Sequence, residues 1–152
     1  MPTPIQELTI ALQSAIAAEL SIVIERRKIA YFTPGEVREG KYIIVGIGED
    51  TNAKRGIDLL DLQVDLGYQI ALPEPTESNP DPANNIPWSD EQEQKVDAIK
   101  QLFRPDGALR DRAIAGVNYL RMQNTPIYRP DMLLDNQIFT SVIRLEFRSE
   151  NE

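Results

Sequence analysis

Leu60-Asp61-Leu62-Gln63-Val64-Asp65-Leu66-Gly67-Tyr68-Gln69-Ile70-Ala71-Leu72 is the stretch on which the fold turns. Leu60, Leu62, Val64, Leu66, Tyr68, Ile70 and Leu72 take every even position, with Asp61, Gln63, Asp65, Gly67 and Gln69 between them. Alternation this long marks a β-strand with one buried face, because successive strand side chains point to opposite sides. A helix would scatter the same apolar groups around its circumference. Taken from Asp58, the strand could reach roughly 45 Å at about 3.3 Å per residue. Gly67 is a candidate bulge or bend.

Upstream, Tyr42 to Ile47 reads as a second strand, apolar almost throughout, and residues 49–56 as a polar loop of hairpin length. Thr33-Pro34-Gly35-Glu36 is a turn by its Pro-Gly pair. Leu20 to Glu25, rich in Ile and Val, reads as a strand leaving the core before the charged run Arg26-Arg27-Lys28. Thr3-Pro4-Ile5-Gln6 opens a helix: Thr3 can cap, Pro4 suits the first turn, and Gln6 can reach back to close a capping box. Ile5, Leu8, Leu12, Ala15 and Ile16 follow at helical spacing, which predicts a helix over 4–18.

Downstream, Pro73 to Pro87 holds five of the 11 prolines and reads as an extended linker. Ser89-Asp90-Glu91-Gln92 is a second capping box. Val96, Ile99, Leu102 and Phe103 give the apolar stripe of a helix over 90–103, stopped by Pro105 and Gly107. Residues 108–115 could add a helical turn, Val117 to Arg121 reads as a short strand, and 123–136 as a long loop. Phe139, Ser141, Ile143, Leu145 and Phe147 alternate with Thr140, Val142, Arg144, Glu146 and Arg148 in a final half-buried strand, beyond which Ser149 to Glu152 should fray. The expected architecture is α+β: a two-layer sandwich whose mostly antiparallel sheet carries two main helices on one face, in one domain spanning 1–152 with the Pro-rich linker at 73–88 inside it.

Composition narrows the chemistry. The 152 residues include no His and no Cys. That excludes a Ser-His-Asp triad, a cysteine nucleophile, disulfides and the usual nitrogen and sulfur ligands of zinc. Sixteen basic residues stand against 24 acidic ones, a formal charge of −8, which opposes independent binding to nucleic acid or to an anionic membrane. Residues 74–97 hold seven acids against Lys95, so −6 of the −8 is local and the remainder is near neutral. Leu8 to Ala18 is uncharged but shorter than the ~20 residues a bilayer needs. Glu7 before it, with nothing positive, opposes a signal peptide.

Each candidate motif has a plainer reading. Gly46-Ile47-Gly48 lacks the third glycine of a dinucleotide fingerprint, with Thr51 in its place and no helix after it, so these glycines mark a strand end where the backbone crowds or turns. Asp61 and Asp65 share a strand face about 13 Å apart, too far for one metal or a glycosidase pair, with Asp58 on the other face; a solvated sheet face is expected. Asn79 to Asn85 lacks the Gly and closing Glu of a calcium loop. Arg26-Arg27-Lys28 and Arg104, Arg110 and Arg112 read as charged ends of elements without interleaved aromatics. Trp88 reads as a packing residue at the start of a helix. No catalytic, cofactor or metal residue is expected, and the chain is read as not an enzyme.

The hairpin is expected to be unequal: about eight residues from Lys41 to Gly48 against about 15 from Asp58 to Leu72. The far half of the long strand must then pair with the last strand or with another chain, which points to assembly through heterologous, ring-closing contacts. The opening amphipathic helix running into Ser21-Ile22-Val23-Ile24, the strand Leu60 to Leu72, the helix around Val96-Asp97-Ala98-Ile99 and the closing run Phe139 to Arg148 together resemble the tail terminator, or tail-completion, proteins of long-tailed bacteriophages. The likeness covers most of the chain and is one of pattern, so no residue role transfers with it. It implies a structural virion protein that forms a homo-oligomeric ring on the tail tube and joins it to the head. Its partners would be tail-tube and head-connector proteins, and its place the virion, or the bacterial host cytoplasm during assembly. A non-enzymatic adaptor of another bacterial or prophage-derived system, using the same sheet edge, is the alternative. Because loops carry function, Lys54, Arg55, Tyr128 and Arg129 in the two long loops are the candidate protein contacts.

Overall fold

In the computed structural model, which describes residues 2–28, 38–54, 57–135 and 137–151, the alternating stretch is the middle strand of a five-stranded sheet. The elements run α1 (Pro4–Leu20), β1 (Ile24–Arg26), β2 (Lys41–Lys54), β3 (Ile57–Ala71), α2 (Ile86–Gln101), β4 (Asn118–Gln123), α3 (Pro130–Asp135) and β5 (Ile138–Asn151), with a 3-10 turn at Pro82–Asn84 before α2. The sheet order is β1-β2-β3-β5-β4. β1 runs parallel to β2, and the three other pairings are antiparallel. The fold is α+β, with a mixed sheet.

Side-chain chemistry accounts for the helix starts. Thr3 caps α1 by accepting from the Gln6 N–H, while Gln6 Oε1 accepts from the Thr3 N–H at 2.9 Å. Leu8, Leu12 and Ile16 then fall on one side and are fully buried, each contributing about 1.5–3 kcal/mol. Ser21 closes the helix in the left-handed region (φ 54°), so α1 runs two residues past its expected end and β1 shrinks to three residues. α2 starts four residues earlier than the Ser89 box suggests. Asn85 caps it, accepting from the Trp88 N–H at 3.1 Å, and Pro87 fits the first turn where no N–H is required. That start places Trp88 edge-on to Phe139, with ring centroids 6.2 Å apart. Its C-terminal end is tight: a Cβ at Gly107 would lie 2.4 Å from the carbonyl oxygens of Gln101 and Leu102.

Both helices bear on the even-numbered face of β3. Leu62, Val64, Leu66 and Tyr68 join Phe139, Ile143, Leu145 and Phe147 of β5, and Leu8, Leu12, Ile16, Val96 and Ile99 of the helices, in one core. Tyr68 is buried to 2% exposure and donates its hydroxyl to Gln92 Oε1 at 2.8 Å, so the phenol is satisfied inside the core and burial raises its pKa. The opposite face is not fully solvated. Ile43, Val45 and Ile138 form a smaller buried cluster there with Ala71, and Gln69 donates to Thr140 Oγ1 at 3.0 Å across the strands.

Several expectations change. Residues 49–54 are strand, not loop: β2 continues to Lys54 and pairs with β3 down to Ile57. The hairpin is therefore equal-sided, and β3 has no unpaired half, since β5 lies along its other side from Asp58↔Asn151 to Ala71↔Ile138. Residues 108–115 form turns, not a helical turn, yet Leu109 and Ile114 are core residues. Part of the 123–136 loop is α3, and β5 extends through Ser149 to Asn151 where fraying was expected. The turn over 33–36 lies outside the described residues. Gly67 sits in continuous pairing, and the bulge in the hairpin falls between Gly46 and Gly48 instead.

Gly46 is where α1 touches the sheet. A Cβ there would stand 3.0 Å from both Ile5 Cγ1 and Thr9 Oγ1, whereas one at Gly48 meets nothing within 4 Å. Gly46→Val should lower stability by about 1–3 kcal/mol through overpacking, while Gly48→Val should change it by about 0.5 kcal/mol or less. Paired urea melts check this, and equal losses at the two positions would contradict it.

Candidate interaction face and sheet edges

The odd-numbered face of β3 meets the even-numbered face of β5, and their charges are complementary residue by residue. The register places Asp61 opposite Arg148, Gln63 opposite Glu146 and Asp65 opposite Arg144. Arg144 grips Asp65 with two hydrogen bonds, Nε to Oδ1 at 2.9 Å and Nη2 to Oδ2 at 3.1 Å. Arg148 does the same to Asp61 at 2.6 and 3.1 Å. Between them Gln63 donates to Glu146 Oε1 at 3.0 Å, and Arg121 of β4 binds Glu146 Oε2. Three carboxylates and three guanidiniums thus form a neutral ladder over three strands, along a shallow groove of about 480 Å³ lined by Asp50, Asp61, Gln63, Arg121, Glu146 and Arg148.

The electrostatics follow from these bonds. The hydrogen bond to Asp65 raises the Arg144 pKa, and that to Asp61 raises the Arg148 pKa. The hydrogen bond from Arg121, with its charge and the Gln63 amide, holds the Glu146 pKa below the usual glutamate value against the opposing effect of burial. A lowered folded-state pKa means that Glu146 contributes stability above the ordinary glutamate pKa, and that this is lost as pH falls through the lowered value. Asp65 is 7% exposed, so its partner matters most.

Sequence reading placed Asp61 and Asp65 on one face but not their partners, which lie 87 and 79 residues away. The signal was present in Arg144 and Arg148, spaced four apart like the two aspartates. Glu49, read as loop, instead accepts from the Ile5 N–H at 2.9 Å and satisfies the positive end of α1. Two basic residues of the 104–112 region are committed internally: Arg104 bonds Asp97 at 2.6 Å, and Arg110 donates to the Phe103 carbonyl and lies 5.5 Å over the Tyr119 ring.

The three candidate contacts among the described residues do not converge. Lys54 ends β2 opposite Ile57, and Arg55 lies outside the described residues. Tyr128 stacks on Phe139, with centroids 5.8 Å apart, and Arg129 sends its N–H to the Thr140 carbonyl and pairs with Asp131. Along β3, the level of Ile57 and that of Gln69, opposite Thr140, are about 40 Å apart at strand rise. Tyr128 and Arg129 tie the last loop to the sheet; Lys54 belongs to the far end.

The edges differ from each other. β1 covers β2 only at Tyr42, Ile43 and Ile44, and among the described residues no strand pairs with the outer side of β2 beyond them. β4 closes the other edge, pairing with β5 alone. Each edge strand carries a bulge, between Gly46 and Gly48 and between Tyr119 and Arg121, and each bulge holds an exposed apolar residue, Ile47 at 44% and Leu120 at 43%.

Asp65→Ala should cost about 1–2 kcal/mol, and Asp65→Ala with Arg144→Ala less than the sum of the single changes by about 1 kcal/mol, because the two groups share one bidentate contact. Denaturant melts of the double-mutant cycle measure this coupling, and strict additivity would contradict it. No protein-family model matches the chain, and no curated protein is similar to it.

Proposed function

We propose that the chain is a non-enzymatic assembly subunit that closes into a homo-oligomeric ring, acting as the tail terminators it resembles act: capping a tail tube and joining it to the head. The observation that carries this reading is that, among the described residues, no strand pairs with the outer side of β2 beyond Ile44 or with the outer side of β4, two unlike edges on opposite sides of the sheet. An edge strand offers a row of backbone donors and acceptors that another chain can complete. When the two edges of a subunit differ, each copy offers one edge to its neighbour and accepts the other, and such head-to-tail contacts generate rings when the rotation between copies closes and filaments when it does not.

The carboxylates support the non-enzymatic part. Asp61, Asp65 and Glu146, the acids of the ladder, are each engaged by an arginine. A carboxylate serving as general acid or base near neutral pH is expected instead to have its pKa raised toward that pH, and the lowered pKa of Glu146 runs the other way. Among the described residues, no helix is long and apolar enough to cross a membrane. The virion, or the bacterial cytoplasm during assembly, is the proposed location.

Size-exclusion chromatography with light scattering, on the chain alone and mixed with the tail-tube protein encoded in the same genome, tests the reading. A closed oligomer of defined mass in either condition is the expected result. A strict monomer in both would contradict it, and a monomer that captures an extended peptide on its edge would assign it to an adaptor instead.

A further inference from the structure

The strand registers place at the same height the two edges that no strand among the described residues covers. Asn118 to Gln123 of β4 pair with Arg148 to Arg144 of β5. Those residues pair with Asp61 to Asp65 of β3, which in turn lie opposite Asp50 to Val45 of β2. β4 is therefore level with the Gly46–Asp50 part of β2, the part just beyond the reach of β1. Following the same registers, Leu120 falls between the levels of Glu49 and Gly48, and Ile47 between those of Gly48 and Gly46. The two exposed bulge residues stand about one residue step apart in height, on opposite sides of the molecule.

Direction matches as well. Three successive antiparallel pairings separate β2 from β4, so β4 runs opposite to β2. In a ring whose strands run along its axis, every copy of β2 points the same way. The β4 of one copy then meets the β2 of the next antiparallel, without tilt or inversion of either subunit. The charges agree: Arg121 on β4 would come level with Gly48, two residues from Asp50 of the neighbour on the same sheet face.

Resting on the assembly reading above, we infer that the outer edge of β4 pairs antiparallel with the Gly46–Asp50 edge of β2 in a second copy of this chain, extending the sheet from subunit to subunit. Ile47 and Leu120 meet in that contact and shield its hydrogen bonds from water. Arg121 faces Asp50 across the junction, on the face that carries the ladder, while keeping its bond to Glu146.

The absence of cysteine makes the test clean. Ile47→Cys, Leu120→Cys and the double variant are made at these exposed positions, with melting temperatures compared with the parent as the folding control. Each is treated with a short bis-maleimide, which tolerates a one-step offset, and run on denaturing gels beside light scattering of the untreated sample. The expected result is a ladder of covalent multimers from the double variant alone. Covalent dimers from either single variant would mean like edges meet, and would overturn the inference. Oligomers by light scattering with no ladder from the double variant would overturn this pairing while leaving the assembly reading in place. A monomer by light scattering, both alone and with the tail-tube protein, would overturn both.

Discussion

The pairing of β3 with β5 is the constraint on which the rest of the structure depends. It joins residues 57–71 to 138–151 across most of the chain and specifies its register on both faces at once. On the helix side, the alternation puts Leu62, Val64, Leu66 and Tyr68 beside Phe147, Leu145, Ile143 and Ser141, so a slip of one residue would turn the apolar set out to solvent. A slip of two keeps the apolar face but is opposed on the other side. In one direction Asp61 meets Glu146, and in the other Asp65 does, leaving an arginine and a carboxylate without each other. Oil and charge thus exclude different errors, and neither alone would select the observed register.

Once β3 and β5 are set, the other elements are positioned by them. β2 folds back along β3 for its whole length and creates the outer edge. β4 adds to β5 and delivers Arg121 to Glu146. α1 is seated by the bare backbone of Gly46 and by the Glu49 carboxylate at its N-terminus, both on the stretch of β2 that the bulge reshapes. The same bulge leaves Ile47 without a register partner and exposed, so helix docking and the outer edge of β2 share one local device. Bulges also bend edges away from indiscriminate pairing, which makes a partner of matching height and shape the one such an edge can accept.

Much of this was legible where local chemistry and periodicity agree. The Thr3–Gln6 capping box, the alternation from Leu60 to Leu72 and that from Phe139 to Phe147 each determine an element without outside help. Gly46 was legible as a crowded backbone position, though not what crowds it. The remainder depends on partners distant in sequence. Glu49 to Asn52 have the composition of a loop and become strand because β3 opposite them supplies a ladder. The choice of Asn85 over Ser89 as the cap of α2 turns on Trp88 reaching Phe139, 51 residues away. Nothing local signals that β1 runs parallel to β2. The charge ladder was written in the spacing of two aspartates and two arginines, but only a known strand pairing turns equal spacings into contacts.

The most direct measurement is a set of cross-strand nuclear Overhauser effects on the uniformly labelled protein, connecting backbone protons of Asp61 with Arg148 and of Asp65 with Arg144. Contacts at those pairs, with both strands in extended geometry, are the predicted result. Contacts offset by two residues, or the short sequential pattern of a helix between Leu60 and Leu72, would contradict the register, and with it the height match between the two edges.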